Sequence, residues 1–107
     1  MTQSEFRLIF ADQVNKCEET LRMKKKEYTG DRDDRLSAFR IAASLQDCTP
    51  QRALVGMMAK HIVSLYDMCY AKNTFFTKEL WDEKITDSIN YFLILCAIVE
   101  EELNEEN

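Results

Sequence analysis

The stretch Thr77 to Leu103, TKELWDEKITDSINYFLILCAIVEEEL, decides the fold. Trp81, Ile85, Ile89, Phe92, Cys96, Val99 and Leu103 recur along it at steps of three and four, the spacing that lines one face of an α-helix. Thr77 stands where a hydroxyl caps the first free amides of a helix. No other segment carries so long an uninterrupted pattern, so the stripe predicts a long last helix at the centre of the core, with Ile89 buried. Glu100, Glu101, Glu102, Glu105 and Glu106 crowd its C-terminal end, where negative charge opposes the helix dipole. Fraying is therefore expected from about residue 103.

Upstream, Thr49-Pro50 reads as an N-cap followed by proline at the first helical position, where its missing N–H costs nothing. The helix it opens is expected from Pro50 to about Ala71, with Leu54, Met58, His61 or Ile62, Leu65 and Cys69 facing inward and Gly56 marking a close helix approach. A shorter helix is expected to start at Asp33 or Asp34 and to bury Leu36, Phe39, Ala42 or Ala43, and Leu45. The first helix is capped by Thr2 or Ser4. It presents Phe6, Ile9, Phe10, Val14, Cys17 and Leu21 on one face and stops at Gly30.

Composition agrees with a single all-α domain spanning 1–107, a bundle of about four helices. The chain has 107 residues, 46% of them hydrophobic, and only two glycines and one proline interrupt it. That is too little turn chemistry for a many-stranded sheet protein. The longest uncharged run near the C-terminus, Ser88 to Val99, falls short of the ~20 apolar residues that span a bilayer, so no membrane association is expected. The first residues carry Glu5, Arg7 and Asp12 and lack the pattern of a signal peptide. The four cysteines show no zinc-ligand spacing and are expected to be reduced thiols, which points to a cytoplasmic setting. A net charge of -5 argues against general nucleic-acid binding, although Arg22, Lys24, Lys25, Lys26, Arg32, Arg35 and Arg40 leave room for a local anion site.

Glu83, Asp87 and Asn90 stand at i, i+4 and i+7 of the last helix, on one side of it. Asn90 interrupts an apolar run, and a buried amide needs a partner or a ligand. Two readings follow. Glu83 and Asp87 supply oxygen donors for Mg²⁺, which usually binds through few carboxylates plus substrate phosphates; or the three form a solvated helix edge with Asn90 bonded to a neighbouring helix. Lys60 either neutralises a phosphate or pairs with Glu83 or Asp87. His61 reads as structural. The linker with Tyr28, Gly30 and Asp33 either clamps a nucleotide by stacking and polar contacts or is a plain polar loop. Arrangement of Tyr28, Asp33, Lys60, Glu83, Asp87 and Asn90 around one pocket would place it between the second, third and fourth helices.

The residues Lys25-x-x-Tyr28-x-Gly30, Asp33, Phe39, Lys60 with Ser64, and Glu83-x-x-x-Asp87-x-x-Asn90-Tyr91 resemble small phage and prophage proteins related to the nucleotide-modification-associated helical domain. These are similar in turn to MazG-like all-α nucleotide pyrophosphohydrolases. The resemblance spans roughly Lys24 to Glu100. It implies a phosphorylated nucleotide as ligand, Mg²⁺ as cofactor and, for a phage protein, the host cytoplasm. In MazG-like enzymes a Glu-Glu-x-x-Glu motif and a Glu-x-x-Asp motif hold Mg²⁺ against the triphosphate. Here Glu18-Glu19 is followed by Arg22, and Glu83 and Asp87 are spaced by four, so the hydrolytic pattern is incomplete.

Two functions follow from these residues. One is a phage-type nucleotide-handling protein, either catalytic or merely binding, whose ligand is a phosphorylated nucleotide. The other is a non-enzymatic interaction protein, such as an inhibitor of host defence that captures a signalling nucleotide or covers a host protein. Amphipathic helices with Tyr66, Tyr70, Phe75 and Phe76 to spare add the expectation of a homo-oligomer.

Overall fold

The computed structural model describes residues 1–30 and 33–106, with the side chains of 26, 28 and 106 excepted. Its elements among the described residues are α1 (Gln3–Thr29), α2 (Ser37–Leu45), α3 (Pro50–Tyr70) and α4 (Lys78–Glu106), an all-α fold. Local chemistry sets most boundaries. The Thr2 hydroxyl accepts from the Glu5 amide at 3.1 Å while the Glu5 carboxylate accepts from the Thr2 amide at 3.0 Å, a reciprocal cap at the start of α1. Gly30 follows α1 with a φ of +63°, the left-handed conformation that ends helices at least cost to glycine. Asp34, rather than Asp33, holds the entry to α2, its carboxylate accepting from the Leu36 amide at 3.1 Å. Thr49 caps α3 by accepting from the Arg52 amide at 3.2 Å, and Thr77 caps α4 by accepting from the Leu80 amide at 3.1 Å.

The core gathers where α2, α3 and α4 meet. Phe39 of α2 and Leu54 of α3 are fully buried, with Leu36, Met58, Tyr91, Ile94 and Ile98 around them. His61 lies against Tyr91 and Gln51 bonds Glu102, so α3 and α4 run antiparallel. Gln13 bonds Thr86 and Asn90 bonds Cys17, pairings that advance together along both helices, so α1 runs parallel to α4.

The face of α4 that enters this core is not the expected one. Tyr91, Ile94 and Ile98 point inward, whereas Phe92, Cys96, Val99 and Leu103 are exposed and Trp81, Ile85 and Ile89 only half-buried. At about 100° per residue the two sets lie on opposite sides of the helix. The helix is apolar on both, and periodicity alone does not say which side the rest of the chain covers. The same correction applies to α1, where Phe6, Ile9, Phe10 and Val14 are exposed and only Cys17 of the stripe is buried. Leu45 and Cys69 are exposed as well.

Two further differences have local causes. Gly56 marks no close approach, since a methyl group there would meet nothing within 4 Å. The acidic end of α4 stays helical to Glu106 instead of fraying from residue 103. Arg40 of α2, held on its other side by Asp34, pairs with Glu101, and Gln51 bonds Glu102, which ties that end to the bundle.

Urea unfolding tests this division of burial. Phe39→Ala is expected to cost about 3–5 kcal/mol, as for other buried aromatic truncations. Leu45→Ala on the same helix should stay within about 0.5 kcal/mol. Gly56→Ala should gain about 1 kcal/mol, because an uncrowded helical glycine carries only its entropic disadvantage. A loss on Gly56→Ala would mean that a neighbour does pack against that position.

Candidate polar site between the helices

α1 meets α4 through polar side chains more than through apolar ones. Gln13 donates to the Thr86 hydroxyl at 2.9 Å, and Lys16 reaches Asp82 at 3.1 Å and Asp12 at 2.8 Å. The Asn90 amide donates to the Cys17 carbonyl at 3.2 Å, a contact buried from solvent. Lys24 lies 3.4 Å from Asp87, whose other oxygen is 3.9 Å from Nδ1 of His61 on α3. The ring of His61 in turn packs on Tyr91 at 5.2 Å between centroids. Lys24, His61, Asp87 and Asn90 thus form one cluster at the junction of α1, α3 and α4.

Burial makes this cluster unusual. The side chains of His61 and Asp87 retain only 13% and 11% of their exposure. Among the described residues, Nδ1 of His61 and Oδ1 of Asn90 are buried without a hydrogen-bond partner, as are Nη1 of Arg35 and Oγ of Ser37 where α1 turns into α2. An unsatisfied buried polar atom costs about 1–3 kcal/mol, so several in one small domain call for an explanation. Leu21, Lys24, Asp87, Asn90, Tyr91 and Ile94 enclose a cavity of about 10 Å³ beside Asn90, on the scale of one water molecule.

Lys24 and Asp87 also wall a second, open space. A groove of about 470 Å³ runs between α1 and α4 and includes Lys16, Thr20, Glu83 and Thr86. Its two ammonium groups are both engaged, Lys16 with Asp12 and Asp82 and Lys24 with Asp87.

Desolvation is the largest influence on His61 and lowers its pKa from the ordinary 6.5, outweighing the Asp87 carboxylate, which favours the cation. Lys84, Lys60 and Lys24 act in the same direction as burial. The imidazole is consequently neutral at pH 7.

The structure brings together part of the expected constellation. Asp87 and Asn90 are buried in the cluster, and Glu83, one turn earlier, is exposed on the groove wall. Lys60 does not meet Asp87: it is exposed on α3, and Lys24 of α1 takes the place expected of it. The site accordingly lies between α1, α3 and α4 instead of between the second, third and fourth helices. Asp33 is exposed in the connection to α2, and the side chain of Tyr28 lies outside the described residues. Among the described residues no three His, Cys, Asp or Glu side chains converge as a metal site. Asp87 faces Lys24, and Glu83 is exposed on the groove wall.

Lys24 was legible in principle. Cys17, Leu21 and Lys24 stand at i, i+4 and i+7, the spacing of Glu83, Asp87 and Asn90 on the opposing helix. Its place in a run of three lysines makes it look like part of a solvated face. Gln13 and Thr86 carry no sequence signal of their pairing.

The fold and this site define the class, an all-α helical bundle with a buried polar cluster at a helix junction and, among the described residues, no helix long and apolar enough to cross a membrane. Compared with known proteins, the chain matches no family model, no curated protein and no solved structure.

Two measurements test the cluster. Asp87→Ala should destabilise the protein by about 1–3 kcal/mol, because it leaves Lys24 without its acceptor and the partly buried His61 without its neighbouring carboxylate, whereas Lys60→Ala should change stability by less than about 0.5 kcal/mol. Equal losses from the two would put Lys60 back in the site. His61 is the only histidine. With its folded pKa depressed, the unfolded chain takes up the proton first, so stability should fall as pH drops below about 6.5 and level off below the folded pKa. In His61→Gln the slope between about pH 6.5 and 5.5 should flatten; an unchanged slope would exclude His61 as its source.

Proposed function

We propose that this protein binds a phosphorylated nucleotide without hydrolysing it, in the groove between α1 and α4. The observation that carries the reading is the Lys24–Asp87–His61–Asn90 cluster, whose Lys24 and Asp87 also wall the open groove between α1 and α4. Lys24 is the hinge of the proposal. Paired with Asp87 at 3.4 Å, it can turn its ammonium to a phosphate without leaving the groove. Thr20 and Thr86 add hydroxyl donors on the two walls.

The resemblance to phage nucleotide-modification-associated helical proteins supplies the ligand class, and with it the host cytoplasm as the setting. Five carboxylates in the groove, Glu19, Glu79, Asp82, Glu83 and Asp87, repel a bare polyphosphate, so a nucleotide of low charge or one carrying its own Mg²⁺ fits better. Among the described residues no carboxylate trio converges, which is the reason for placing binding ahead of hydrolysis.

A non-enzymatic interaction protein is the second reading, and a different observation favours it. Phe6, Phe10, Phe75 and Phe92 are all more than half exposed, which is apolar surface suited to contact with another protein, host or self.

Thermal shift across mono-, di- and triphosphates and cyclic nucleotides, with and without Mg²⁺, separates the two. A ligand at about 100 times its Kd adds about 2.7 kcal/mol, a rise on the order of 10 °C for a domain this size. Lys24→Ala should abolish the rise and Lys60→Ala should keep it, with no product released on prolonged incubation. Flat melting curves with every nucleotide would discard the first reading in favour of the second.

A further inference from the structure

The outward side of α4 is built as a helix-pairing seam. Ile85, Ile89, Phe92, Cys96 and Val99, continued at Leu103, are separated by four, three, four, three and four residues. That alternation is the heptad spacing of about 3.5 residues with which one helix packs along another. Phe92, in the middle, is 52% exposed, and Val99 is 40% exposed. Phe10 and Val14 of α1 broaden the face, forming with Ile89 and Leu93 part of an apolar groove of about 390 Å³.

The area of the molecule indicates how much is left to cover. The chain exposes 8181 Å², whereas a compact monomer of 12.6 kDa exposes about 6,200 Å². Its radius of gyration, 16.2 Å, likewise exceeds the ~13 Å of a compact domain of this length. The surplus of about 2,000 Å² is what one partner contributes to an extensive obligate interface. A second copy supplies a matching seam of the same length and the same chemistry.

Charge selects the direction. Glu100, Glu101, Glu102 and Glu105 cluster at the C-terminal end of α4, while its N-terminal part mixes Lys78 and Lys84 with Glu79, Asp82, Glu83 and Asp87. Parallel pairing would stack the glutamates of two copies side by side. Antiparallel pairing separates the two glutamate clusters and brings each toward the partner's helix N-terminus, the favourable direction for the dipoles. The spacing permits this register: Phe92 opposes the partner's Cys96, Ile89 the partner's Val99 and Ile85 the partner's Leu103. At each level a larger side chain faces a smaller one or two of moderate size meet.

We propose that the protein is a two-fold homodimer in which this face of α4, flanked by the first half of α1, pairs antiparallel with the same face of a second copy. The pairing rests on apolar surface alone and stands whether or not a nucleotide binds.

Sedimentation equilibrium of the full chain at about 100 µM should give twice the chain mass, and the melting temperature should rise with protein concentration. F92E should weaken association at least 100-fold, and V99E should do the same, while Asp87 and the buried core are untouched. Under mild oxidation F92C should cross-link to the partner's Cys96, identified by peptide mapping, and the unaltered chain should not link Cys96 to Cys96. A wild-type monomer whose melting temperature is independent of concentration would overturn the proposal, as would an F92E protein that remains dimeric. A Cys96–Cys96 link in the unaltered chain would overturn the antiparallel arrangement. Should F92E fail to fold, the concentration dependence of the wild-type protein still decides.

Discussion

Phe39 and Leu54 hold the molecule together from positions only fifteen residues apart in sequence, one on each side of the turn between α2 and α3. Both side chains are fully buried, and both are covered from the other direction by Tyr91, Ile94 and Ile98 of α4. Burial of a side chain of this size is worth about 1.5–3 kcal/mol, and a small domain has few such contributions. Once this contact forms, the rotation of α4 about its own axis is set. Asp87 and Asn90, on or beside the side that faces in, become buried, and Ile89 and Phe92 turn outward.

α1 then docks against what remains. The part of α4 offered to it carries Asp82, Thr86, Asp87 and Asn90, so hydrogen bonds and ion pairs from Gln13, Lys16 and Lys24 do much of the joining. Polar contacts of this kind add little net stability each, but they are directional and fix the register of one helix on another. A core of plain apolar residues would not leave acceptors such as Asn90 Oδ1 unsatisfied. Two of the unsatisfied atoms, on His61 and Asn90, lie where three helices meet around Asp87, and that pairing with a buried carboxylate is what makes the junction a candidate site.

One helix with two apolar faces also explains why so small a chain has so much surface. With the first half of α1 exposed, the bundle does not cover both sides of α4. The inward side is satisfied by α2 and α3. The outward side keeps a long, regular, uncharged seam between Trp81 and Val99, bounded by the acidic end that Arg40 and Gln51 hold in place.

By itself the sequence determined the number of helices and most of their ends, because those depend on residues close together in the chain. Thr49-Pro50, Thr77 and the Thr2–Glu5 pair satisfy free amides within three or four residues, and Gly30 supplies a left-handed stop; none of these requires knowledge of a distant partner. The sequence also marked Asp87 and Asn90 as unusual, since polar groups within an apolar run need explanation wherever they lie. Only the tertiary structure decided which side of α4 is the core, and that Lys24 instead of Lys60 meets Asp87. Helical periodicity reports that a face is apolar and is blind to what lies against it. Lys24 and Lys60 carry the same charge on amphipathic helices, and it is the parallel docking of α1, set by contacts some seventy residues apart such as Gln13 with Thr86, that brings one of them to the carboxylate and leaves the other in solvent.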